Sequence, residues 1–256
     1  MRALDIIRQK RRFEMFSEKT KEKVLELNNF FGKYHMNFEE RIKKTFIYYD
    51  TPNNDLLKSN IVLYKTVIGN FCELNMATEK ISSTFRYSVR TNYKHFTKQI
   101  KQFDSIFKHK EFLIDSFKAM FLSSINFDPE FLLKKLQQAY TIRTVSNEYR
   151  STNGTGLKIT YSFDQDIYTN EVTNQKVNAN ILTIYQHSKS DTDGEFDNLI
   201  GKLERYLKEL NATSDTKIMI ARRMTSARVL QMEREKQKRE EQRRLEEKKK
   251  AKQKNK

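Results

Sequence analysis

The 256 residues contain no tryptophan, one cysteine, two prolines and six glycines. The lone Cys72 excludes an internal disulfide and points to a reducing compartment, with the cytoplasm as the expected location. No apolar run approaches the roughly 20 residues that a membrane-spanning helix needs. The basic opening MRALDIIRQKRR lacks the apolar core and small-residue cleavage site of a secretory signal. His35, His95, His109 and His187 stand at no zinc-ligand spacing from Cys72 or from one another. Gly69, Gly154 and Gly156 sit in hairpin contexts, so no glycine-rich loop leads into a helix to cradle phosphate.

The sequence does have 18 Phe and 12 Tyr to fill a core, and a net charge of +16. That charge is uneven. From Arg222 onward there are 15 Lys and Arg against 6 Glu, so this tail carries +9 of the total. Glu235 with Arg239, Glu240 with Arg244 and Glu246 with Lys250 are spaced to support an isolated helix. Leu245 is the only large apolar residue beyond Met232, which excludes a coiled-coil seam, and the tail has no aromatic residue for base stacking. It is suited to contacting nucleic acid or an acidic protein surface by charge rather than by sequence. The expected division is a body over residues 1–221 and a basic, partly helical tail over 222–256.

Periodicity predicts alternating strands and helices in the body: a short strand at Arg12–Phe16, then a helix at Glu18–Phe31. Strand patterns follow at Lys44–Tyr49, Ile61–Val67, Phe71–Ala77 and Ile81–Val89, with Gly69-Asn70 as a hairpin turn. A helical insert is expected over about 92–138, its last helix opened by Asp128-Pro129-Glu130. Strands resume at Tyr140–Tyr149, Leu157–Phe163 and Asn180–Gln186. An amphipathic helix at Glu195–Leu210 and a short strand at Lys217–Ile220 close the body. The fold class is α+β: an antiparallel, tunnel-like β-barrel with flanking helices.

The stretch Tyr48-Tyr49-Asp50-Thr51-Pro52, strand then turn then a second strand, resembles the CYTH-like superfamily of triphosphate tunnel enzymes. Thr141-Ile142-Arg143 through Tyr149, Leu157–Ser162 and Ile181–Tyr185 are similar, in order, to strands of its VTC-type polyphosphate polymerase branch. The resemblance implies a tunnel whose inward Lys and Arg bind phosphate and whose carboxylates hold Mg or Mn. It also implies several carboxylates that this chain lacks. The first strand keeps only Glu14, with Arg12 where another acid belongs, and Ser162, Thr183 and Tyr185 replace charged positions. Asp164, two residues beyond Ser162 on the same strand face, is the available substitute.

The expected phosphate-binding cations are Lys65, Arg86, Arg90, Arg143 and Lys158, and the expected metal ligands are Glu14 and Asp164, with Glu73 a further candidate. The eroded acid set favours a domain that binds polyphosphate, a nucleoside triphosphate or another polyanion without efficient catalysis. A diverged metal-dependent polyphosphate polymerase or triphosphatase, using Mg or Mn, is the enzyme alternative. A protein that associates with nucleic acid through its basic tail is the third.

Overall fold

The computed structural model describes residues 9–15, 17–30, 36–78, 94–121, 128–152, 158–187, 194–213 and 215–226. The chain begins with β1 (Gln9–Met15), α1 (Lys19–Phe30) and β2 (Asn37–Asp50), followed by α2 (Asp55–Lys58), β3 (Ile61–Ile68) and β4 (Phe71–Thr78). After β5 (His95–Gln99) come a 3-10 turn (Ile106–His109), α3 (Lys110–Met120) and α4 (Pro129–Lys135). The second half holds β6 (Gln137–Thr152), β7 (Lys158–Asn170), β8 (Gln175–Gln186), α5 (Glu195–Tyr206), β9 (Leu210–Thr213) and α6 (Lys217–Met224). One nine-stranded sheet runs β5-β4-β3-β2-β6-β7-β8-β1-β9, and its pairs are antiparallel. The architecture is α+β as expected, but among the described residues hydrogen bonding does not close the sheet, and β5 and β9 are its edges.

Alternation sorts the sheet into two faces. On the outer face, Phe13, Ile159, Tyr161, Phe163, Leu182 and Ile184 pack with Phe196, Leu199, Ile200 and Leu203 of α5 and with Val24 of α1. Leu63, Cys72, Leu74 and Met76 of β3 and β4 meet Leu113, Phe117, Leu132 and Leu133 of α3 and α4. The inner face has a third cluster, in which Val62, Ala77, Ile142, Tyr168 and Ile181 surround Ile218, Ile220 and Ala221 of α6. Residues of β3, β4, β6, β7 and β8 can reach one eight-residue helix together only if the sheet curls around it. The apolar part of the bore is therefore filled by α6.

Three local expectations change. Residues 95–99, read as the start of a long helix, form β5 beside β4, while among the described residues the helical part of the insert covers 106–120 and 129–135. Phe96, Ile100, Phe103, Ile106 and Phe107 imitate helical spacing, yet Phe96 lies in β5 and only Ile106 and Phe107 lie in a helical turn. The helix expected over Glu195–Leu210 ends at Tyr206, and Leu210–Thr213 forms β9 on β1. Lys217–Ile220, expected as a strand, is the first turn of α6, capped where the Thr216 hydroxyl accepts the Met219 amide at 3.4 Å. The strand expected at Ile81–Val89, with Arg86 and Arg90, the turn Asn153–Gly156 and the tail beyond Ser226 lie outside the described residues.

The Asp-Thr-Pro turn that carried the resemblance is built as a helix cap. The buried Asp50 carboxylate accepts the amides of Thr51 (2.7 Å), Leu56 (2.9 Å) and Leu57 (3.1 Å), and Thr51 Oγ1 donates to Asp55 at 2.7 Å. It thus satisfies first-turn donors that α2 cannot pair internally. Burial raises its pKa and outweighs those three amides.

Candidate anion site and acid cage on the inner face

Cross-strand pairing fixes which side chains share the inner face. On β7 these are Lys158, Thr160, Ser162, Asp164, Asp166 and Tyr168, so Lys158 and Asp164 do lie on one face. Arg150 pairs with Thr160, Ser146 with Asp164 and Thr144 with Asp166. Tyr185, Thr183 and Ile181 of β8 stand opposite Thr160, Ser162 and Asp164, and β1 places Lys10, Arg12 and Glu14 beside them.

The acidic half is a closed polar network. Asp164 Oδ1 accepts the hydroxyls of Ser146 (2.5 Å) and Ser162 (2.7 Å). Asp166 Oδ1 accepts Thr144 Oγ1 at 2.5 Å, and its Oδ2 accepts the Tyr168 hydroxyl at 2.8 Å. Into this pair α6 inserts Lys217, whose Nζ lies 2.9 Å from Asp164 Oδ2, 2.7 Å from Asp166 Oδ1 and 3.1 Å from Thr144 Oγ1. An ammonium has three donors, and these three contacts use them all.

The side chains of Asp164 and Asp166 are only 5% and 0% exposed, so neither charge could be held there unpaired. Burial works to raise the Asp164 pKa, but Lys217 and the two serine hydroxyls outweigh it and hold the carboxyl below its usual range. Burial likewise works to lower the Lys217 pKa, and the two aspartates push it above its ordinary value instead. Burial and then Asp166 raise the Tyr168 pKa, so this phenol remains a donor. Glu14, in the Asp164 row across Ile181, is paired with Arg223, again from α6.

The other half of the face is basic and incompletely satisfied. Arg12 Nη1 donates to the Asp215 carbonyl, but its buried Nε has no hydrogen-bond partner among the described residues. The same holds for Arg150 Nε and for Thr183 Oγ1, whose residue is 0% exposed. These atoms occupy adjacent rows of β1, β8 and β6, around Thr160 and Ser162, with Lys10 and Lys158 in the Arg150 row or next to it. Glu148, the nearest acid in register, is engaged by Lys44 at 2.8 Å. Buried donors are normally paired, so two guanidinium N–H groups and a hydroxyl without partners among the described residues, in neighbouring rows, offer donor chemistry suited to an anion.

The other expected cations are elsewhere. Lys65 belongs to the opposite face of β3, is buried, and donates to the carbonyls of Gln102 (2.5 Å) and Asp104 (3.0 Å), where it fastens the loop before α3. Arg143 differs in parity from Arg150 and projects outward, lining a groove of about 600 Å³ with Lys43, Thr45, Gln165, Ile167 and Asn178. Lys65 and Arg143 therefore do not join Lys158. Glu73 shares the inner face but lies on β4, four strands from β7.

No cluster of three or more His, Cys, Asp or Glu suited to a metal occurs among the described residues. The Mg or Mn implied by the resemblance does not fit the acids present, because a lysine and hydroxyls already fill Asp164 and Asp166. Sequence reasoning missed Arg12, Arg150, Thr183 and Lys217 as a group. Two-residue spacing from Ser146 through Glu148 would have led to Arg150 had the β6 strand been extended past Tyr149.

No protein-family model matches the chain, and no curated protein does. Solved structures do. A Bacillus halodurans protein named for adenylate cyclase aligns at 10% identity over 86% of this chain and 98% of its own, with a TM-score of 0.46. A Hippeastrum protein named for adenylyl cyclase, with a dominant triphosphatase activity, aligns at 11% identity over 85% and 96%, with a TM-score of 0.45. The PH1819 protein of Pyrococcus horikoshii gives 14%, 83%, 97% and 0.43 in the same order. The likeness is one of fold. At these identities and scores it carries no functional argument. Among the described residues no helix is long and apolar enough to cross a membrane.

Proposed function

We propose that the inner face binds polyphosphate, the triphosphate of a nucleotide or a similar phosphorylated polyanion, without efficient catalysis. The observation that carries this is the set of buried polar atoms without a partner among the described residues, Arg12 Nε, Arg150 Nε and Thr183 Oγ1, gathered on one patch of that face. Guanidinium groups suit phosphate because their planar donors match its oxygens in pairs, and Lys158 adds positive charge at the exposed end. Binding without turnover is supported by the state of the carboxylates, which are committed to Lys217 and Arg223 rather than open to a metal. The basic segment from Arg222 onward supports a second contact with nucleic acid or acidic protein surfaces, set by charge alone. The single buried cysteine is compatible with the reducing cytoplasm that we assign as its location.

The test is calorimetric titration of the full chain with tripolyphosphate at rising salt, alongside an assay of released phosphate. Wild type should bind saturably and release none. Arg12→Gln with Arg150→Gln should weaken the inner-face component by about tenfold or more, leaving the salt-sensitive contribution of the tail. Equal binding by wild type and the double variant would defeat the proposal.

A further inference from the structure

The acidic half of the inner face poses a separate question: what a pair of carboxylates so deeply buried is for. Asp164 and Asp166 are neighbours on one strand face, almost fully buried, and ringed by the hydroxyls of Thr144, Ser146, Ser162 and Tyr168. Two hard carboxylates with hydroxyl neighbours are the donor chemistry of an oxygen-ligated divalent cation. The position between them is occupied by Lys217 Nζ, 2.9 and 2.7 Å from one oxygen of each. The occupant comes from α6, which enters the curl of the sheet behind Ile218, Ile220 and Ala221.

We infer that the Lys217 ammonium is a built-in replacement for a divalent cation, so that wild-type protein excludes Mg and Mn from Asp164 and Asp166, and that removing this one side chain uncovers a metal site. The electrostatic argument is direct. Two buried carboxylates without a cation are unsustainable, and an ammonium supplies one positive charge where a metal would supply two. Lys217 spends its three donors inside the network, so it neutralises the acids and has none left for a phosphate. Anion binding on the neighbouring rows is then independent of divalent metal.

The experiment follows Mn²⁺ binding to the full chain by the loss of its free aqueous electron paramagnetic resonance signal, in phosphate-free buffer. Wild type should show no binding that Asp164→Asn removes. Lys217→Met should gain one site, at least about tenfold tighter than anything in wild type, and Lys217→Met with Asp164→Asn should lose it. If Lys217→Met melts without cooperativity, millimolar Mn²⁺ should restore a cooperative transition, because a ligand that binds only the folded state stabilises it. A folded Lys217→Met that gains no site, or an unfolded one that Mn²⁺ does not rescue, would overturn the inference. So would wild type binding Mn²⁺ through Asp164. Because no phosphate is present, failure here leaves the anion proposal standing, and failure of the anion titration leaves this one standing.

Discussion

Along β7, Asp164 and Asp166 lie in a network whose partners are all supplied by the chain, whereas Thr160 and Ser162, a few residues earlier on the same face, neighbour buried polar atoms with no partner among the described residues. The two regions share a strand, a face and a depth of burial, so hydrophobicity does not distinguish them. The difference is α6: it reaches the acid rows with Lys217 and Glu14 with Arg223, and delivers no side chain to Arg150. A buried polar group that the fold satisfies contributes to structure, and one left without a partner costs stability.

The largest expected effect comes from breaking the satisfied region. Lys217→Met leaves two buried carboxylates uncompensated and should destabilise the metal-free protein by about 3–5 kcal/mol. Adding Asp164→Asn and Asp166→Asn should recover much of that loss, as read by urea unfolding. A triple variant as unstable as the single one would show that packing of α6, not charge, is responsible. Next in size is Asp50→Ala, which strands amide donors at the start of α2 and should cost about 1–3 kcal/mol while leaving tripolyphosphate binding unchanged in the folded protein.

Acid titration gives a smaller effect with a defined sign. Asp164 has a depressed pKa, so its stabilising contribution is present above the ordinary carboxylate value of about 3.9 and is lost as pH falls through the lower folded value. Lys217 has a raised pKa, so its contribution is present below about 10.4 and is lost only as pH climbs through the higher folded value. The melting-temperature gap between wild type and the triple variant should therefore be flat across neutral pH and shrink only at the acid and alkaline extremes. Asp50, whose pKa is raised, works the other way and favours the fold slightly as it protonates. The smallest effect belongs to Arg143→Ala. This residue is exposed on the outer face, so its loss should change neither stability nor anion binding by more than about 0.5 kcal/mol.

Much of the scaffold was legible from the sequence because most strands carry strong alternation and the Gly69-Asn70 turn is explicit; Gly69 has a φ of 55°, as such a turn requires. The shared face of Lys158 and Asp164 also follows from parity within a single strand. Parity between strands does not. Whether Arg143 or Arg150 faces the same side as Lys158 depends on the register of the β6–β7 hairpin, and a change of one residue exchanges them. Lys217 was hidden for another reason. Lys217-Ile218-Met219-Ile220 alternates like a strand, and only Thr216 just before it signals a helix start. The cage depends on a residue distant in sequence, so no local pattern near Asp164 could reveal its partner.

The Asp50 turn has a consequence for motion. One carboxylate holds the end of β2, through Thr51, and the first turn of α2, through Leu56 and Leu57. Those three amides share a single acceptor group, so none can open to solvent without loosening the others. Their hydrogens should exchange with deuterium as one slow set, marking the joint at which the sheet and the helices covering its outer face breathe together.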